Sequence, residues 1–412
     1  MNSLYRLKTF NDNDIEKIFN DIKFKLIETD ILSPSQILPI IKTASKFNNY
    51  YFRSYWTIFK KVIEEYQLKQ AKHIGYIFDY FFYKEYGFLL EEKHQKYILS
   101  YNANNYSLDV HNENTIFRSI MDDDIKSFIT LIRQNDDSVG ISCKSKFYKS
   151  GEQYSLLELC CYYGSVNCFK FLRTEFEFEI TPLCCGFSFL GGNPDIIAEC
   201  SKKREWDLEL SMEYAIISHN LDFYTFLKNE YQMDINLEYC SKYNNLQAFL
   251  IYLDQTRDYD QCFIHSYCFN NLNLCEYLLK HGANIDAKYQ YNETALHIVT
   301  RNNNKEFVKY LISHGANPNI QDNNLSTPLH YAIENNDLDI LELFILHGAN
   351  VNIPDKFGNT PFHKSVEYNK NKIAKLFVSH GAKLKTRNNR GESVLHISTR
   401  CKNKELVELL VV

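Results

Sequence analysis

A His-Gly pair recurs every 33 residues: His281-Gly282, His314-Gly315, His347-Gly348 and His380-Gly381. A second series keeps step with it: Thr294-Ala-Leu-His297, Thr327-Pro-Leu-His330, Thr360-Pro-Phe-His363 and Ser393-Val-Leu-His396. Two motifs held in phase at one period mark stacked structural units, each of which buries its apolar face only against its neighbours. The pattern also bounds the function. A stack of this kind presents an extended surface to a macromolecule rather than an enclosed catalytic pocket.

Each period reads as a helix pair followed by a crossing segment. In 327–359, Thr327 caps the first helix, and Pro328 sits in its first turn, where a missing N–H costs nothing. Leu329, Ala332 and Ile333 face the core, and Asn335-Asn336 breaks the helix. Leu338, Ile340, Leu341, Phe344 and Ile345 form the apolar stripe of the second helix. Gly348 is suited to the left-handed conformation that ends it. Asn350 to Asn359 then crosses to the next unit, with Gly358 in the turn. The phasing gives units at 261–293, 294–326, 327–359 and 360–392, and a partial one at 393–412.

Residues 261–412 closely resemble ankyrin repeats: the period, T-P-L-H, the glycine after the second helix and the D-x-x-G turn from Asp355 to Gly358 coincide. The expected fold class is all-α, an ankyrin-repeat solenoid preceded by a helical N-terminal domain. Departures are local. Asn292 and Leu325 stand where the turn glycine belongs, and Gln261-Cys-Phe-Ile264 replaces T-P-L-H in the first unit. The resemblance implies that His297, His330, His363 and His396 bond neighbouring backbone and tie repeats together, with Gly282, Gly315, Gly348 and Gly381 as structural partners. A metal row or a catalytic base is the alternative. The metal row fails because one layer of helices to the next is about 10 Å, too far for one ion to bridge. His330→Ala is expected to cost about 1–3 kcal/mol, a buried hydrogen bond lost.

The resemblance also places the partner surface. The turn tips are Tyr289, Tyr291, Asn324, Phe357 and Arg390, and the inner-helix surface is Arg301, Tyr331, Glu334, Lys364, Glu367 and Tyr368. Aromatic and Arg side chains suit interface anchors, although each position also reads as ordinary solvated surface. Lys383, Lys385, Arg387, Arg390, Arg400, Lys402 and Lys404 make the C-terminal end locally basic. Leu406, Leu409 and Leu410 lie in a last helix with no following unit in this sequence, so it is expected to open first.

Upstream the helix-pair rhythm continues with irregular spacing. Tyr214-Ala-Ile216 and Leu221-Asp-Phe223 match Tyr331-Ala-Ile333 and Leu338-Asp-Ile340. Residues 155–172 have the same form, with Gly164 between two apolar stripes, and 187–200, 239–253 and 115–132 are shorter versions. Residues 115–260 therefore read as degenerate ankyrin-like units, with an ordinary helical domain as the alternative. Residues 1–110 show no repeat and read as about five amphipathic helices, with apolar faces such as Ile15, Ile18, Phe19 and Ile22. The segments CCYYG, SFLGGNPDII, YAIISHNLDF and NNLQAFLIYLDQT ahead of regular repeats resemble the expanded, uncharacterised ankyrin-repeat family of trichomonad protists. That likeness implies architecture and no activity.

Several function classes are disfavoured. The formal net charge of -5 argues against a nucleic-acid surface. The 30 Tyr and 29 Phe fit AT-rich coding, so one aromatic residue carries little information. No apolar run is long enough to span a membrane, and the N-terminus lacks an apolar signal core, so a cytoplasmic protein is expected. The 12 cysteines include no C-x-x-C. Cys262, His265, Cys268 and Cys275 form a drawable ligand set, but the cysteines fall at apolar repeat positions, where free Cys packs as a small hydrophobe. No phosphate loop, dinucleotide fingerprint, zinc-protease helix or nucleophile elbow occurs. Leu190-Gly191-Gly192-Asn193-Pro194 reads as a loop rather than an anion cradle, and Asp122-Asp123-Asp124 as a solvated turn.

The expected function is a non-catalytic scaffold that binds a protein partner through the concave repeat surface. No cofactor, metal, nucleic acid, membrane span or small-molecule substrate is expected. The alternative is an adaptor whose N-terminal helical domain recruits an enzyme complex such as a ubiquitin ligase, for which Leu38-Pro39 is the single sequence match.

Overall fold

The computed structural model describes every residue except 30, 97, 99–106, 135–141, 146, 149–152, 203–205 and 412, and no side chain at 409 or 411. The protein is 63% helical, and two short strands are the only ones among the described residues, so the fold is all-α. It divides into two compact units, Met1–Gln255 and Thr256–Val412.

Among the described residues the first unit opens with the helices α1 (Asn2–Tyr5), α2 (Asp12–Ile22), α3 (Pro34–Phe47), α4 (Phe52–Glu65) and α5 (Tyr76–Tyr86). Local chemistry sets their limits. Asn11 caps α2 by accepting from the N–H groups of Asn13 and Asp14. Ser33 and Gln36 form a reciprocal capping box on α3, with Pro34 at its first position. The apolar faces converge on one core that includes Ile15, Phe19, Ile41, Trp56, Phe59 and Phe78. Leu38 is fully buried in the core, and Pro39 lies half-buried inside α3. Asp79 is buried too. Its carboxylate accepts from the backbone N–H groups of Leu90 (2.8 Å) and Glu91 (3.2 Å) and contacts His94 Nδ1 at 2.8 Å, which ties down the segment after α5.

Helix pairs follow: α6 (Ile116–Met121) with α7 (Ile125–Gln134), α8 (Leu156–Tyr163) with α9 (Val166–Glu175), α10 (Pro182–Gly191) with α11 (Pro194–Ser201), α12 (Leu208–Ile217) with α13 (Leu221–Tyr231), and α14 (Leu237–Lys242) with α15 (Leu246–Thr256). An antiparallel pair, β1 (Ser142–Lys144) and β2 (Gln153–Ser155), precedes α8. The first helices pack in series, α6 on α8, α8 on α10, α10 on α12 and α12 on α14. Contact between α8 and α10 is backbone-close. A Cβ at Gly191 would lie 2.3 Å from the Cys161 carbonyl oxygen and 2.4 Å from the Gly164 nitrogen. Gly191 therefore ends α10 rather than sitting in a loop, and Asn193 caps α11 with its own side chain.

The second unit repeats one plan: α16 (Tyr259–Ser266) with α17 (Leu272–Lys280), α18 (Ala295–Arg301) with α19 (Lys305–Ser313), α20 (Pro328–Asn335) with α21 (Leu338–Leu346), α22 (Pro361–Glu367) with α23 (Asn371–Ser379), and α24 (Val394–Arg400) with α25 (Lys404–Val411). The first helices stack in order from α16 to α24. Helix α16 starts upstream of Gln261 because Asp258 caps it, accepting from the Gln261 N–H at 3.1 Å. Gly282, Gly315, Gly348 and Gly381 all have positive φ, and each following alanine N–H returns to a carbonyl of the finished helix, as with Ala349 to Phe344 at 2.9 Å. In the last helix Leu406 is fully buried, Leu410 is half-buried, and the side chain of Leu409 falls outside the described residues.

Candidate protein-interaction surface

The T-P-L-H motif is a capping box in which histidine takes the place usually held by Glu or Gln. In α20 the Thr327 backbone N–H donates to His330 Nδ1 at 3.0 Å, and the Thr327 hydroxyl lies 2.9 Å from the same nitrogen. With Nδ1 accepting, the proton resides on Nε2, which donates to the Asn359 carbonyl of the next unit at 3.2 Å. His297 reaches the Ser326 carbonyl (3.2 Å) and His363 the Thr386 carbonyl (3.1 Å) in the same way. These three rings are fully buried. Burial pushes His330 down to about 4 and lowers His297 and His363, so all three stay neutral at neutral pH. His396 makes the local contacts to Ser393 but is exposed.

The second histidine series has a different place. His281, His314, His347 and His380 are exposed, and Nδ1 of each meets the carbonyl one turn back, at 2.7, 2.7, 2.9 and 2.8 Å. They close the C-termini of the second helices, where a partial negative charge gathers. The sequence assigned the inter-unit bond to the T-x-x-H series and gave the His-Gly histidines no role.

The turn tips form a backbone ladder. Asp322 and Asp355 each fold a tip by accepting two N–H groups: Asn324 (2.7 Å) and Ser326 (2.9 Å) for Asp322, Phe357 and Asn359 (both 2.9 Å) for Asp355. Asn388 does the same for Arg390 and Glu392. Successive tips are then joined: Asn323 N–H to the Tyr291 carbonyl (2.8 Å), Lys356 N–H to Asn324 (2.8 Å) and Asn389 N–H to Phe357 (2.9 Å). Gly358 permits this approach, since a Cβ there would lie 2.7 Å from the Asn389 nitrogen. Tyr291, Asn324, Phe357 and Arg390 are exposed along this ladder, Tyr291 at 70% and Phe357 at 58%. Tyr289 differs. It is half-buried, its ring meets His265 at 4.7 Å, and it packs on Ile264, Ala287 and Ile298.

The inner helices carry a chain of polar contacts from unit to unit. Arg301 pairs with Glu293, and its guanidinium lies 5.7 Å from the centre of the Tyr331 ring. The Tyr331 hydroxyl donates to Asp322 at 2.5 Å, and burial together with that carboxylate pushes the phenol up to about 12. Tyr368 donates to Glu334 at 3.4 Å, Lys364 lies 3.8 Å from Asp355, and Glu367 lies 3.8 Å from Arg400. The structure thus joins Arg301 with Tyr331 and Glu334 with Tyr368, and leaves Tyr368 43% exposed. Asp322, Glu293 and exposed Leu325 belong to the same surface and were missed. The D-x-x-G pattern marked a turn at Asp355, but the first two tips lack its glycine.

Among the described residues no group of three or more His, Cys, Asp or Glu is placed to hold a metal ion. Cys262 and Cys275 are buried, and burial pushes their thiols up to about 12 and about 11. No described helix is long and apolar enough to cross a membrane.

Comparison with known families gives two matches. The family described as Domain of unknown function (DUF3447) matches residues 176–252, which run from ahead of α10 into α15. The family described as Ankyrin repeats (3 copies) matches residues 263–355 and again 329–412. No curated protein matches the chain. Residues 263–412 are ankyrin repeats, and a DUF3447 domain precedes them.

Proposed function

We propose that the protein is a non-catalytic scaffold that holds a protein partner on the tips and inner helices of Thr256–Val412. The observation that carries this reading is the exposure of Tyr291, Phe357 and Tyr368 on rigid, mutually bonded backbone. Large rings that gain nothing from the fold's core and cost little entropy to fix are what an interface uses as anchors. Arg301 and Glu334 are partly spent on contacts within the array, so they position neighbouring rings as well as facing a partner. The helix pairs of 115–260, with their serially packed first helices, support a reading as degenerate ankyrin-like units.

The test is capture of partners from native lysate by the full chain and by a Tyr291→Ser, Phe357→Ser variant. Tyr289 is left intact because its packing would confound the result. A protein held by the parent and lost by the variant supports the reading. Identical captured sets from both chains would reject it.

A further inference from the structure

A cleft of about 380 Å³ opens within Met1–Gln255, a volume in the range of small-molecule sites. One wall is the segment after α1, with Tyr5, Arg6 and Lys8. The opposite wall is built from the C-terminal ends of first helices, at Tyr163 in α8, Gly191 in α10 and Ile217 in α12. Between them the lining is rich in rings, including Phe47, Phe189 and Phe223. No carboxylate lines the cleft. Asp122 hydrogen-bonds the lining residue Tyr50 and is also paired with Arg118 at 2.6 Å.

The hydrogen-bonding groups of this lining are unevenly spent. Among the described residues the side chains of Arg6, Lys8 and Tyr51 have no hydrogen-bond or ion-pair partner. The Tyr5 hydroxyl is buried and also lacks a partner, although its ring stacks on His219 at 4.0 Å. Arg6, Lys8 and Tyr51 can donate to a ligand and two of them are cations, whereas the Tyr5 hydroxyl is buried away from the open cleft. Helix C-termini across the cleft carry partial negative charge, so an anionic group of a ligand is favoured only at the Arg6 and Lys8 wall. Arg6 and Lys8 are solvent-exposed, and a ligand with acceptor oxygens and negative charge at their side replaces the water they otherwise hold. It also brings a flat apolar body for the rings.

We propose that this cleft binds a small organic anion with an aromatic body, its carboxylate on Arg6 and Lys8. The ligand is a free aromatic acid or the carboxyl-terminal aromatic residue of a peptide, two sources of one chemistry. This site is independent of the surface on Thr256–Val412.

The test is calorimetric titration of the full chain with three probes that share one ring: indole-3-acetate, indole and tryptamine. Indole-3-acetate is expected to bind saturably and about tenfold or more tighter than indole, with tryptamine weakest, because only the anion meets the two cations. Binding should fall about tenfold in an Arg6→Ala, Lys8→Ala variant and be largely kept by Arg6→Lys. Both side chains are exposed, so an unchanged circular dichroism spectrum is expected for the variants. Tighter binding of N-acetyl-glycyl-tryptophan than of indole-3-acetate would assign a peptide end, and the reverse a free acid. No saturable binding of indole-3-acetate, equal binding of the three probes, preference for tryptamine, or an unaffected double variant would each overturn the proposal.

Discussion

Replacing His330 with alanine removes a buried ring that holds two units at once. The Nδ1 acceptor for the Thr327 N–H and the Nε2 donor to the Asn359 carbonyl both vanish, from a side chain with no solvent exposure. Each lost bond costs about 1 kcal/mol, and leaving a buried partner unsatisfied adds more, so the loss near pH 7.5 should be about 3 kcal/mol. Acid provides a second signature. The folded ring resists protonation down to about 4, whereas the unfolded ring takes a proton near 6.5. Below 6.5 the unfolded state binds more protons, so this share of stability is complete above that pH and is lost as pH falls towards 4. At pH 5 the parent should already have lost about 2 kcal/mol through this residue, and the penalty of the substitution should shrink to about 1 kcal/mol. His330→Gln, which keeps an acceptor and a donor, should lose less at pH 7.5 and show no such convergence. Both tryptophans, Trp56 and Trp206, lie in Met1–Gln255, so their fluorescence does not report on the repeats. Urea unfolding should instead be followed by far-UV circular dichroism, with hydrogen exchange in α18 to α22. An unchanged midpoint at pH 7.5, or a penalty that stays constant down to pH 5, would refute the reasoning.

Other outcomes follow from the tips. Leu325 sits at a φ of 53° while half exposed, so Leu325→Gly should stabilise the repeats by about 0.5–1 kcal/mol in the same urea assay, and a lower midpoint would count against the strain. Gly358→Ala should cost about 1–2 kcal/mol and speed exchange of the Asn389 amide, because the new methyl meets the backbone of the next tip and the φ of 76° disfavours it; unchanged exchange would contradict that contact. Tyr291→Ser with Phe357→Ser should leave the midpoint within about 0.5 kcal/mol of the parent, since exposed side chains carry little stability.

The fold was legible where repetition turned local chemistry into a pattern. The period fixed the phase of Thr327, Pro328, Leu329 and His330, and their caps, first-turn proline and core positions are what the structure contains. It was less legible where one residue has two environments. Both histidine series repeat equally well, yet His297, His330 and His363 are buried between units, His396 is exposed, and the His-Gly rings close exposed helix ends. The Asn-x-Asn pairs hid a further joint. The Asn319 side chain donates to the Gly348 carbonyl and accepts from the Asn350 N–H of the next unit, and Asn352 repeats this with Gly381 and Lys383. In a chain rich in asparagine, such a ladder has no compositional mark. Among the candidate site residues, Tyr291 and Tyr289 looked equivalent by position. Packing against His265 and Ile264 distinguishes Tyr289, and that contact crosses most of one unit, beyond the reach of spacing. The cleft of the first unit was invisible for the same reason, since Arg6 and Gly191 come to line one cleft only through tertiary packing.

The central claim, that a partner lies along the tips of the ankyrin repeats, is tested most directly by photo-crosslinking in the native cell from single positions. A photoreactive residue replaces Tyr291 or Phe357 in turn, and Leu346, which is 79% exposed at the end of α21, serves as the comparison. Crosslinks from both tip positions to one shared protein, with none from position 346, are the predicted result. Crosslinks from position 346 alone, or unrelated products from the two tips, would contradict it.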